Sequence, residues 1–129
     1  MGNRISLDTN AMDWQRAEDV HPDYKLDGLD DPEAGIFVKV LRAPDHGGGC
    51  WHVLYRFRPP AGRAIRLTAV AASDEEVFIL DGDRAGHYGC NPKGLRHGQT
   101  VTEDTTFLVH YHEAPDEILK AEVIELAAT

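Results

Sequence analysis

The chain is poor in cysteine, in basic residues and in long apolar runs, and each shortage excludes something. Two cysteines, Cys50 and Cys90, are too few for a disulfide framework, and their separation is not that of a zinc site. They read as free thiols of a reducing cytoplasm rather than as one bridge. Thirteen Lys and Arg stand against 22 Asp and Glu, a net charge of -9. That field repels phosphate backbones, which excludes nucleic acid as a partner. No run approaches the length of a membrane span, and the first residues lack the apolar core of a signal peptide. The expectation is a cytoplasmic protein with no membrane partner. "MGNRIS" formally fits a myristoylation pattern, but no basic patch or second lipid signal follows it. At 129 residues the chain is one domain with a single modest core.

What is present is mostly short β-type segments. Residues 1–34 are acidic and rich in Asp, Pro and Gly, and read as an irregular lead-in packed on the body, with Trp14 docking there. Residues 35–112 carry the strands. "GIFVKVLRA" alternates, with Phe37, Lys39 and Leu41 on one side and Ile36, Val38, Val40 and Arg42 on the other. "CWHVLYRFR" puts the aromatics Trp51, Tyr55 and Phe57 on one face and Cys50, His52, Leu54 and Arg56 on the other. "PPAG" is a turn. "AIRLTAVA", "EEVFIL" and "TTFLVHYH" are further strands, with "DGD" a hairpin signal after the second of these. Many short strands between Pro/Gly turns argue for a β-sandwich or barrel. In the tail, residues 113–129, Pro115, Asp116 and Glu117 look like a helix start, so a short helix is expected there. "AEVIEL" also fits an edge strand.

Two stretches resemble the motifs of the cupin superfamily. "GHYGCNPKGLRH" matches the family's second motif at Gly86, Pro92, Gly94 and His97. In the first motif Gly62, Glu75 and Gly82 stand at the family's spacings, while its two histidine positions fall on Thr68 and Val70. The segment "VKVLRAPDHGGGCWHVLYRFRPPAG" is also similar to small cupins related to anti-sigma-factor sensor domains and acetylacetone-type dioxygenases. The resemblance implies an all-β fold, a single cupin jelly-roll barrel of two packed antiparallel sheets. It also implies a metal site of three imidazoles and one carboxylate converging inside the barrel, suited to Fe, Mn, Ni or Zn. This sequence departs from that implication. Thr is a poor neutral ligand and Val is none, so Glu75 and His97 alone remain of the four. Only Asp83, Arg84 and Ala85 separate the two motifs, where the family places a fuller hairpin.

The candidate residues follow. Glu75 and His97 are the candidate acid/base pair and the first two metal ligands, against the plainer reading of a strand-mouth carboxylate and a hydrogen-bonded strand-end histidine. Glu76 alternates to the other face and reads as solvated. His110 and His112 share a face and could be recruited to complete a metal site, as could His52. Thr68, Val70, His52 and Tyr55 are expected to line the ligand pocket. The cofactor is then either none or one divalent metal, Fe, Mn, Ni or Zn. Three functions stay open: a cupin with a degenerate metal centre that binds a small organic molecule, a metal-dependent dioxygenase or isomerase with a rebuilt His/Glu site, and a sensor or regulatory domain. Exposed sheet edges in such small barrels lead us to expect a homodimer.

Overall fold

The computed structural model describes Arg4, residues 6–44 and residues 50–126. Nine strands are named: β1 (Gln15–Arg16), β2 (Gly35–Arg42), β3 (Trp51–Arg58), β4 (Arg63–Val70), β5 (Glu75–Asp81), β6 (Tyr88–Asn91), β7 (Arg96–Val101), β8 (Thr105–Tyr111) and β9 (Glu117–Glu125). They form two antiparallel sheets, one ordered β1-β2-β3-β8-β5-β6 and the other β7-β4-β9. Among the described residues the named helical elements are α1 (Ala17–Val20) and two single 3-10 turns, Thr9–Ala11 and Pro22–Tyr24.

The core follows from strand alternation. On β3, Val53, Tyr55 and Phe57 are buried, and on β8 so are Phe107, Val109 and Tyr111. Phe57 and Phe107 meet edge to face at 5.2 Å between centroids, a favoured geometry for aromatic pairs. The facing sheet supplies Ile65, Leu67 and Ala69 of β4. The inward face of β3 is therefore the aromatic one.

The lead-in contributes more order than its composition suggests. Tyr24 and Leu26 are buried with the barrel core, and β1 extends the larger sheet beside β2. Lys39, on the opposite face of β2 from Val38, is buried. Its Nζ donates to the Thr9 carbonyl at 2.6 Å and lies 4.5 Å from the Trp14 ring centroid. Arg16 sits over Phe37 at 5.1 Å. Two cation–π contacts thus fasten the lead-in to the outer side of β2.

The helix expected in the tail is overturned, because residues 117–125 are strand β9, paired along β4. The register explains the misreading. Ala69 faces Ile118 and Thr68 faces Lys120, so Leu119 is an extra residue, a β-bulge. Ile118 and Ala121, both buried, thereby come to stand three apart on one face, a spacing that mimics helix periodicity.

The short link between the two motifs is a true hairpin. Gly86 N–H donates to Ile79 O at 2.7 Å and Ile79 N–H to His87 O at 2.9 Å, closing β5 directly onto β6. Gly82 begins the turn at φ +98°, where an added Cβ would lie 2.5 Å from the Asp104 carbonyl and from Thr105 Oγ1. Gly62 has φ +75° with nothing within 4 Å. Gly82→Ala should therefore cost about 3 kcal/mol, backbone strain plus clash, against about 1 kcal/mol for Gly62→Ala. Urea unfolding of the two variants reads the difference, and equal costs would mean that the turn relaxes freely.

Candidate active site

The two sheets enclose a cavity of about 330 Å³. One part of its wall is apolar, built from Phe57, Leu67, Val77, Ile79 and Phe107; the other is polar. The polar part is assembled from three strands. Glu75, 1% exposed, opens β5 and faces Tyr111 of β8 and Asn91 of β6 in register. His97, on β7, stands opposite Ala69 of β4. Asp116 immediately precedes β9 and is 7% exposed. His97 Nε2 lies 2.8 Å from Glu75 Oε1 and 3.0 Å from Asp116 Oδ2. Asn91 Nδ2 donates to the same Glu75 oxygen at 2.7 Å.

The turn that ends β4 holds this arrangement together. Ala71 N–H donates to Leu95 O at 2.9 Å and Gly94 N–H to Ala71 O at 2.7 Å, tying the turn to the approach of β7. Ser73 Oγ donates to Ala114 O at 2.8 Å and accepts from the Glu113 and Ala114 N–H groups, which fixes the approach to Asp116. Asp74 accepts the Lys93 N–H at 2.8 Å. Glu75 follows directly. The short stretch Ala71–Asp74 therefore indexes all three members of the cluster.

The charges within the cluster are unequal. The Asp116 carboxylate beside it, and then that of Glu75, raises the His97 imidazole to about 10, so it is a cation at neutral pH. Burial, reinforced by the Glu75 charge, lifts the Asp116 carboxyl to about 6 against the pull of His97. Burial alone would also raise Glu75, but the nearby His97 and the hydrogen bond from Asn91 outweigh that and hold it below the ordinary carboxylate range. Three phenols continue the polar wall. Tyr24 Oη donates to Tyr55 Oη at 3.2 Å, and Tyr55 and Tyr111 hydroxyls are 3.0 Å apart. Burial raises all three, so they remain neutral hydroxyls able to donate.

Of the residues expected from sequence to form the site, Glu75, His97 and Tyr55 line this cavity. Thr68 and Val70 do not: Leu67 and Ala69 hold the inward places on β4 and the expected pair alternates to the opposite face. His52, His110 and His112 are not brought to Glu75 and His97 either. His52 and His110 are direct partners on β3 and β8, in the row of Glu76 rather than that of Glu75. Their rings stack at 4.2 Å, and those of His110 and His112 at 4.4 Å. Glu76 is not merely solvated: it accepts from Tyr88 at 2.7 Å and lies 3.0 Å from His110 Nδ1 and 3.4 Å from His112 Nε2. Asp116, Asn91 and Tyr111 were not singled out. Tyr111 was legible in the alternation of Phe107, Val109 and Tyr111. Asp116 was hidden by the helix reading of the tail.

No family model matches the sequence, and no curated protein matches it. Solved structures do. EutQ of Clostridium difficile, a cupin-fold protein, superposes with a TM-score of 0.59 at 15% identity, over 84% of this chain and 86% of that one. The chain has the cupin fold. KdgF from Halomonas sp. (TM-score 0.43, 17% identity, 88% of this chain and 96% of that one) and a mutant of Bacillus subtilis oxalate decarboxylase OxdC (0.45, 18%, 70% and 29%) are more distant matches.

Cupin barrels imply a metal, and the inward residues can be tested for fit. The two imidazole positions of the motif fall on Thr68 and Val70, outside the cavity lining, yet one imidazole and two carboxylates converge within 4.8 Å. His97 Nε2, though close to both carboxylates, has its N–H aligned on neither, and Asp116 Oδ1 has no partner. A buried nitrogen and a buried oxygen without aligned partners, in a group whose ligand atoms lie within 4.8 Å of one another, fit a divalent ion held by Glu75, His97 and Asp116.

The electrostatics also predict a pH response in the metal-free protein. A folded-state pKa of about 10 for His97, above its ordinary 6.5, contributes stability that is complete below about 6.5 and is lost as pH rises through about 10. Asp116, raised from 3.8 to about 6, favours the fold when protonated and loses that contribution as pH rises through about 6. His97→Gln should thus cost about 3 kcal/mol near neutral pH, where it leaves two buried carboxylates without their cation. The gap to wild type should narrow as pH approaches about 10, as read by urea unfolding in chelator. A gap independent of pH would mean that His97 is not the cation of the cluster.

Proposed function

We propose that this cupin binds a small organic molecule in the barrel and moves a proton on it through Asp116 and His97. The observation that carries this reading is the buried Glu75–His97–Asp116 cluster on the wall of a cavity of about 330 Å³, large enough for a small metabolite. Asp116, raised to about 6, changes charge near neutral pH, as a general base should. His97 stays cationic beside it and stabilises negative charge that develops on the bound molecule. Glu75, held by Asn91, keeps His97 charged. The tyrosine hydroxyls can donate to a carbonyl or hydroxyl oxygen, and the Phe57–Phe107 side takes an apolar flank. Arg84, at φ +57° on the rim, makes no ion pair with a described residue and suits an anionic end. The class that fits is a small hydroxy or keto acid, and the reaction class is proton abstraction beside a carbonyl.

The test is incubation of metal-free protein in D2O with a panel of small keto and hydroxy acids. Deuterium wash-in is followed by NMR and thermal shift in parallel. At least one compound should raise the melting temperature and exchange deuterium with an apparent pKa near 6. Asp116→Asn should lower the exchange by about 100-fold or more while leaving the thermal shift. A panel that neither shifts nor exchanges would count against the reading.

A second reading is supported by the unaligned His97 Nε2 and Asp116 Oδ1: a metal-dependent cupin with the ion held by Glu75, His97 and Asp116. Two carboxylates and one imidazole suit Mn or Fe better than Zn, and the ion would polarise an oxygen of the bound molecule. Elemental analysis of untagged protein purified without chelator separates the two. Near-stoichiometric Mn or Fe, lost in Glu75→Gln and His97→Ala, would put this reading first. The sensor alternative is not favoured by any feature of the cavity. A cytoplasmic homodimer remains part of the proposal, supported by Phe78, Leu80 and Tyr88 exposed near the β6 edge.

A further inference from the structure

The outer face of the six-stranded sheet carries a second cluster with no part in the cavity. Three of the seven histidines and one of the two cysteines gather there. His52 of β3 and His110 of β8 are directly paired in register, and Glu76 of β5 faces His110 from the other side, so the three form one row across the sheet. Cys50 precedes His52 by two residues and His112 follows His110 by two, which keeps all five on the same face. Cys50, His52 and His110 each offer a ligand atom within 4.8 Å of the others, and all three are half-buried. The adjacent row, Trp51, Tyr111 and Glu75, points inward, so the sheet itself separates this cluster from the one around His97.

We propose that Cys50, His52 and His110 form a zinc-class metal site on the outside of the barrel. A thiolate and two imidazoles are the donors that borderline-soft ions such as Zn(II) prefer, and three protein ligands leave a fourth position open. Glu76 supports it as a positioning residue. Its Oε2 lies 3.0 Å from His110 Nδ1, which leaves Nε2 of that ring as the ligating atom, the carboxylate–histidine arrangement that orients metal-bound imidazoles. The stacked rings turn about χ2 on binding, which half-exposed side chains allow. The ion displaces the thiol proton of Cys50, so binding releases a proton and tightens as pH rises.

The probe is Zn(II) alone, titrated into untagged full-length protein against a chromophoric chelator, with Co(II) substitution as a second readout. The expected result is one equivalent bound outside the barrel, apart from any ion held by the inner cluster, with a thiolate-to-cobalt charge-transfer band that disappears in Cys50→Ser. Binding should be abolished in His52→Ala and His110→Ala. It should weaken by about 10-fold in Glu76→Gln and persist in Glu75→Gln. Circular dichroism shows whether each variant is folded. If His110→Ala does not fold, His52→Ala and Cys50→Ser carry the test alone. The proposal is overturned by absence of binding, by binding that survives Cys50→Ser and His52→Ala, or by binding lost in Glu75→Gln, which would place the ion inside the barrel. None of these results bears on deuterium exchange by Asp116.

Discussion

Two carboxylates buried in an acidic protein need a shared positive charge, and His97 supplies it. Glu75 arrives on the larger sheet, His97 on the smaller one, and Asp116 at the entrance to the last strand. Their meeting at 2.8 and 3.0 Å therefore joins the two layers at a point where apolar packing is interrupted. The cost of burying these charges is offset only when all three are present with Asn91, because a single unmatched carboxylate at that depth is far more expensive than the pair. The Ala71–Asp74 turn, hydrogen-bonded to both neighbouring segments, keeps the cluster in register. Without that turn the two sheets could pack at the same distance and still miss the contact.

The same cluster explains why the loss of two ligand histidines need not empty the barrel of chemistry. Leu67 and Ala69 of β4 extend the apolar wall, and Asp116, just before β9, brings a second carboxylate to His97. In the metal-free protein an acid that titrates near neutral pH thus stands beside a persistent cation.

Strand alternation decides which face each titratable side chain serves. Glu75 and Glu76 are consecutive, and so are His110 and Tyr111. In each pair one side chain enters the cavity and the other joins the outer row with His52. A shift of one residue in β5 or β8 would exchange the two clusters entirely. Tyr111, locked to Tyr55 inside, and Glu76, bonded to Tyr88 outside, both oppose such a slip.

Much of this was legible in the chain itself. The period-two patterns of residues 35–43, 50–58 and 105–112 mark the strands and divide each into two faces. The glycines, Pro92 and His97 of "GHYGCNPKGLRH" carry the cupin resemblance, and the same motifs single out Glu75 and His97 as candidates. Tertiary structure decided the rest. Counting from Glu75 back to β4 does not reveal how many residues the intervening turn consumes, so motif spacing points to Thr68 and Val70 where Leu67 and Ala69 hold the inward places. Leu119 bulges only because β4 is there to pair with, and that bulge disguised a strand as a helix and hid Asp116. The alternation that makes strands recognisable is local. Which strand lies opposite, and in which register, depends on contacts between residues far apart in sequence, and those contacts are what set Asp116 against His97.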